Sequence, residues 1–347
     1  MNLTEASLTR LAVHYTGNKQ NGQSLLLSQR EKDLDEEIRQ RMTDILMDKF
    51  RQSHERYSFH HPSSLDFNVV YNLVGRLFQE PADFFSQSVK IASHLYEVAL
   101  HPKIKPGELY IVWFDNIGIE DRKIDGIGLF KAENKSLFLD ADPVFDDINL
   151  HLKEGAELAK IDKGCLILNQ GADNGFELII FDSNGKGEEA QYWKDKFLGV
   201  LIRQNEYTHT QEFLTITKNY VAHHMPDEFE VSKTEQIDIL NRSMDYFKNH
   251  GSFSKEEFEQ EVLHHDDIIQ SFRKFDEQYR HNHDQAPVES FDISRQAVQK
   301  QARVFKSVIK LDKNFHIYVH GSRDLIEKGF DEVQQKHYYK IYFDHET

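Results

Sequence analysis

Apolar and polar positions recur with two different periods along the chain, and each change of period marks a change of organisation. Short apolar runs at residues 8–14 and 24–28 read as strands. The charged stretch 33–53 carries Ile38, Met42, Ile45, Leu46 and Phe50 at helical spacing, which predicts one apolar stripe on a solvated helix. Residues 65–78 and 81–100 read as two further amphipathic helices, expected to pack as a pair. The second opens on Pro81, where a missing N–H costs little.

From Leu109 the period falls to two. LYIVWFD, IDGIGLFKA, SLFLD, INLHL, LAKIDKGCLILN and FELIIFD follow one another with turn residues between most of them, which predicts a mostly antiparallel sheet. Asn174-Gly175 is a hairpin signal, because both residues tolerate the positive φ of a type I′ turn. After the Gly-rich loop 183–187 the helical period returns at 192–202, 210–224, 233–249, 254–264 and 267–280, with Ser254 and Glu257 spaced as a capping box.

The final section combines a helix, 294–305, with strands at 305–311, 315–320 and 337–343. On the helix Val298, Ala302 and Phe305 fall on one side, Lys300 and Arg303 on the other. In the first strand Phe305, Ser307, Ile309 and Leu311 alternate with Lys306, Val308 and Lys310. In the second, Phe315, Ile317 and Val319 alternate with His316, Tyr318 and His320, and Asp312-Lys313-Asn314 joins the two as a hairpin. The expected fold class is α+β. A helical pair plus mostly antiparallel sheet fills 1–187, and a helical region followed by a β-hairpin and small sheet fills 188–347, with the boundary near Gly187.

The length supports about two domains with real cores, and 25 Phe and 14 Tyr against 7 Pro fit an ordered chain rather than a low-complexity one. A single cysteine, Cys165, excludes an intrachain disulfide framework and suits a reducing cytoplasm. No apolar run approaches the roughly 20 residues that span a bilayer, and the first twenty residues lack the apolar core of a secretory signal, so no membrane association is expected.

Charge changes the picture more. The chain holds 42 Lys+Arg against 58 Asp+Glu, a net −16, yet between Ser294 and Arg323 the balance reverses. Arg295, Lys300, Arg303, Lys306, Lys310, Lys313 and Arg323 there face only Asp312, giving +6 locally and leaving −22 for the rest. An anionic partner is repelled by most of such a surface and welcomed at the exception. Lys300, Arg303, Lys306, Lys310, Lys313 and Arg323 are therefore candidate phosphate contacts, with Tyr318 beside His316 and His320 offering a ring for stacking or sugar contact. A solvated sheet face whose lysines block edge pairing is the competing reading. No zinc-finger array or ribonucleoprotein signature accompanies the cluster, so recognition of double-stranded DNA would rest on backbone and shape.

Catalytic constellations are weaker. The histidine pairs lack metal-ligand spacing, and only His281 and His283, in an expected loop, have the reach to share an ion, so no metal is assigned. Asp115, Asp125 and Glu133-Asn134-Lys135 supply the residue types that metal-dependent nucleases place around Mg²⁺, but Glu-x-Lys arises readily by chance in a chain with 29% charged residues. Asp140, Asp142, Asp146 and Asp147 form an acidic group of the kind turns accumulate. The stretch 182–187 fails as a calcium loop, with Lys186 at a ligand position and Trp193 where the bidentate Glu belongs. No phosphate-binding loop, dinucleotide fingerprint or nucleophile elbow is present, and Cys165 lies in an apolar strand. A non-enzymatic protein without cofactors is expected, a metal-dependent nuclease being the minor alternative.

The segment ESFDISRQAVQKQARVFKSVIKLDKNFHIYVHG, from Glu289 to Gly321, together with FFSQSVKIASHLYE, GELYIVWF and IDGIGLFKAENK, resembles the 37-kDa nucleoid-associated protein family, the NdpA or YejK-like proteins of bacteria. The similarity of order and spacing runs over nearly the whole chain. It implies a cytoplasmic, nucleoid-located DNA-binding protein and transfers no catalytic residue. The acidic balance favours a localised footprint, or attachment through other nucleoid proteins or DNA enzymes.

Overall fold

The computed structural model describes residues 2–51, 53–145, 147–183, 191–283, 285–302, 305, 308–318 and 325–345. They form two compact units, Met1–Arg203 and Gln204–Thr347.

The first unit is built on eight strands: β1 (Ser7–Thr16), β2 (Leu25–Leu26), β3 (Tyr57–Phe59), β4 (Gly107–Ile119), β5 (Arg122–Ala132), β8 (Lys163–Leu168), β9 (Glu177–Asp182) and β10 (Val200–Ile202). They run in the order β10-β3-β9-β8-β5-β4-β1-β2 with antiparallel pairing throughout. The edges are short, which limits pairing with other chains. Two further strands, β6 (Lys135–Val144) and β7 (Asp147–Ala156), leave the sheet between its neighbours β5 and β8 and pair with each other.

Strand alternation sends Leu109, Ile111, Trp113, Cys165 and Ile167 to one face of the sheet and Val112, Phe114, Leu166 and Leu168 to the other. Both faces are covered. Helices α2 (Val69–Gln79) and α3 (Phe84–Val98), the expected pair, pack Val70, Val74, Leu77, Ile91 and Leu95 on the first face. Helix α1 (Glu36–Arg51) covers the second with Met42, Leu46, Met47 and Phe50. The stripe is as read, except that Ile38 is exposed.

Two local expectations fail for tertiary reasons. Strands β8 and β9 do form a hairpin, but Asn174 lies in a 3₁₀ turn and the loop spans residues 169–176. Gly175 keeps its positive φ of 81°, and a Cβ there would sit 2.4 Å from the Phe59 carbonyl oxygen, so the glycine serves close docking on β3. The helix expected at 192–202 ends at Leu198: Gly199 turns left-handed, Asn68 Nδ2 donates to the Leu198 and Gly199 carbonyls at 2.8 Å, and the chain resumes as β10. Tyr192, Trp193 and Phe197 thereby join the core of the first unit, which extends to Arg203, beyond the boundary expected near Gly187.

In the second unit α4 (Glu206–Asn219), α5 (Lys233–Asn249), α6 (Asp266–Asn282) and α7 (Arg295–Ala302) enclose a phenylalanine-rich core. Phe213 is central, its ring 4.2 Å from Phe253 and edge-on to Phe258 at 5.0 Å and Phe272 at 5.8 Å. The capping box falls at Ser232 and Glu235 instead of Ser254 and Glu257, because Glu257 is drawn off to accept from the Tyr246 hydroxyl at 2.9 Å. Strand β11 (Ser252–Ser254) pairs with β12 (Ser290–Asp292).

The chain then forms two hairpins, β13 (Val308–Leu311) with β14 (Phe315–Tyr318), and β15 (Ile326–Asp331) with β16 (Lys336–Ile341). Strand β15 escaped the sequence reading because IEKGFD, rich in charge and interrupted by Gly329, carries no clear alternation. The observed architecture is α+β, with a largely antiparallel sheet.

Candidate nucleic-acid interface

The β13–β14 hairpin is held from one side. Ile309 is buried against Ile237 of α5, with Leu311, Ile317, Ile326 and Tyr339 packed around them. The register pairs Ile309 with Ile317 and Leu311 with Phe315, so the residues between, His316 and Tyr318, face away from this small core. His316 is exposed, and Tyr318 is 57% exposed. Their register partners are Lys310 and Val308 respectively. The turn Asp312-Lys313-Asn314 closes the hairpin with Asp312 at a φ of 49°, and Lys313 is exposed at its tip. One alternation departs from expectation: Phe315 is 64% exposed, because the apolar cluster reaches Ile317 and Leu311 but ends before the turn.

Helix α7 turns Ala297 and Val298 inward, with Ala302 half-buried and Phe305 buried beyond it. Lys300 is exposed on the other side. Its ammonium donates to the Tyr207 hydroxyl at 3.0 Å and lies 5.6 Å from that ring's centroid, which holds it to the surface of α4. The second unit thus contains Lys300, Lys310, Lys313 and Tyr318, the last three on one hairpin. Arg303, Lys306 and Arg323 lie outside the described residues.

The Glu133-Asn134-Lys135 element resolves differently from a metal-binding turn. Sheet register places Lys131 opposite Lys163, and Lys163 opposite Asp182, all almost fully buried. Two neighbouring ammonium groups repel unless an anion lies between them. Glu133 fills that role, with Oε1 3.3 Å from Lys131 Nζ and Oε2 3.8 Å from Lys163 Nζ, while Asp182 Oδ1 accepts from Lys163 at 2.9 Å. Tyr192 donates to Glu133 Oε1 at 2.7 Å. Burial pushes the Lys131 ammonium down, opposed by Glu133, and pushes the Tyr192 phenol well up, so its proton stays on oxygen to make that bond. Lys135 does not join them; it pairs with Glu108 at 2.9 Å. Asp115 accepts from the Trp113 indole at 2.8 Å. Burial likewise pushes the Cys165 thiol well above its usual range.

Among the histidines, His281 lies within α6 and His283 caps it, stacking on Tyr279 at 4.1 Å, so the expected loop is helix. A grouping that linear spacing did not suggest appears elsewhere. His250 Nε2 lies 3.9 Å from Glu257 and 3.8 Å from Glu261, carboxylates one helical turn apart that face the end of α5. Among the described residues no helix is long and apolar enough to cross a membrane.

A search of curated proteins finds no match. A family model described as nucleoid-associated protein YejK matches residues 12–336, a span that takes in the large sheet, the helical core and the basic hairpin alike. With nearly its whole length covered, the chain belongs to this family of nucleoid-associated proteins.

Proposed function

We propose that this protein is a non-enzymatic DNA-binding component of the nucleoid, which contacts the phosphate backbone of double-stranded DNA through its C-terminal helix and hairpin. The observation that carries the reading is the charge reversal between Ser294 and Arg323 inside an otherwise acidic chain. Family membership, which implies association with the nucleoid, supports it from a separate direction. The β13–β14 register adds a physical basis: anchoring at Ile309 leaves His316 and Tyr318 exposed on the opposite side of the hairpin, with Lys313 at its tip.

Contacts of this kind position a protein on a duplex without reading bases. A Lys306→Glu/Lys310→Glu variant is therefore expected to lower affinity for every duplex to a similar degree in a low-salt gel shift. Unchanged binding overturns this footprint. A shift that requires a second protein replaces it with docking on a nucleoid partner, and Mg²⁺-dependent cleavage replaces it with a nuclease.

A further inference from the structure

The β6–β7 excursion is amphipathic in an unusual sense. Its register sets Leu139 opposite Leu152, Ala141 opposite Leu150 and Pro143 opposite Ile148, and in an antiparallel pair directly opposed residues share a face. That face also carries Leu137, with the exposed Glu154 opposite it at the end nearer the sheet, and is apolar from the Leu139–Leu152 pair to the Pro143–Ile148 pair. The other face is polar through its middle, with Asp140, Asp142, Asn149, His151 and Lys153, and carries Phe138 and Val144 toward its two ends. In a buried sheet the apolar side would meet a helix. Here, among the described residues, it is left largely open: Leu137 is 68% exposed, Leu139 62%, Ile148 61%, Leu150 61% and Leu152 70%.

Such an arrangement is unstable by itself. A two-stranded ribbon is marginal in water without a layer against its apolar face. The uncovered strip amounts to on the order of 600 Å², the upper end of what a monomer exposes and close to the ~800 Å² each partner contributes to a standard interface.

We propose that this strip is a self-association surface, on which the β6–β7 ribbon of a second copy of the chain seats face to face about a two-fold axis. Three observations favour a second copy as the occupant. A two-fold contact needs a self-complementary patch, and from the Leu139–Leu152 pair to the Pro143–Ile148 pair the strip has no charged side chain, so its meeting with itself there opposes no like charges. The area suits one equal partner. Finally, two chains of net charge −16 repel each other wherever their bodies approach. A contact made along strands of ten residues, on the order of 30 Å long, allows the bodies to stay several screening lengths apart, since the Debye length is about 8 Å at physiological salt. If the proposed DNA contact holds, the pair carries two basic segments on one particle and gains avidity from both.

The test is the mass of the full-length protein at micromolar concentration, by sedimentation velocity. Wild type is expected at twice 40.8 kDa and a Leu139→Asp/Leu152→Asp variant at the single-chain mass, with far-UV circular dichroism unchanged because the ribbon lies outside both main cores. Cross-linking supplies an independent readout, since the native Cys165 is buried. Ala141→Cys, at mid-strip, is expected to form covalent dimers with a short bis-maleimide, and Asp142→Cys, on the polar face, to form far fewer. Wild type at single-chain mass, a variant that remains dimeric, or equal cross-linking from both faces overturns the proposal. A dimer that fails to bind DNA removes the proposed function and leaves this inference standing; a monomer that binds does the reverse.

Discussion

His14 shows how one residue ties stability to pH. It sits on β1 at 2% exposure, where Nδ1 accepts from the Ser28 backbone N–H at 3.2 Å and Nε2 donates to Ser88 Oγ at 3.0 Å, which itself donates to the Phe85 carbonyl. That chain of donors has room for the neutral ring only. Burial first, and nearby Lys32 second, push the imidazole down to about 4. The unfolded chain takes up this proton near 6.5 and the folded one does not, so stability is full above about 6.5 and falls as pH drops toward about 4, by up to about 3 kcal/mol. Urea unfolding at pH 7 and pH 4.5 is expected to show a smaller acid loss for His14→Gln than for wild type. His94 and His209, also pushed down by burial, act in the same direction in both proteins and cancel in the comparison. An equal acid loss refutes the role given to His14.

At the scale of elements, the two serines spaced for capping boxes have different fates. Ser232 Oγ accepts from the Glu235 backbone N–H at 3.2 Å, and the Glu235 carboxylate accepts from the Ser232 N–H at 2.7 Å, so α5 begins with two otherwise orphaned donors satisfied. Ser254 makes no such bond. Ser232→Ala is expected to cost about 1 kcal/mol in chemical denaturation, and Ser254→Ala under about 0.5 kcal/mol, as for a surface change. Similar costs would show that the box contributes nothing beyond propensity. The consequence reaches the candidate interface, because α5 carries Ile237, the residue on which Ile309 and the basic hairpin rest. Among the candidate contacts, Lys300 has its charged end on a defined partner, Tyr207, and that pairing across two helices could not be read from spacing.

For the whole molecule, the acidic balance and the basic exception act against each other, and salt weighs the two differently. Each phosphate neutralised releases condensed counterions, so one basic segment that engages about five or six phosphates gives a slope of roughly −5 in log affinity against log salt. Filter binding of a short duplex between about 50 and 200 mM salt checks it. Affinity that does not respond to salt overturns the phosphate reading for the whole protein. The same balance of charge explains why the location of the exception matters: on the proposed reading, −22 spread over the remainder disfavours a general coating of DNA and favours a localised footprint.

Periodicity by itself determined the kind of each long element, the α+β class and the residues that share a face, because side-chain direction follows from backbone repeat alone. Charge content along the chain likewise singled out the basic segment without any knowledge of folding. Only the tertiary structure decided what covers each face. SLFLD and INLHL alternate as regularly as GELYIVWF, yet β4 is buried between helices while β6 and β7 stand outside the sheet. The same holds for Glu133, whose role follows from two lysines brought together by strand register, and for Gly175, whose glycine answers to a carbonyl on β3 more than a hundred positions away. Local sequence specifies which way a side chain points; the neighbour it meets is fixed by contacts between segments far apart in the chain, and those have no local signature.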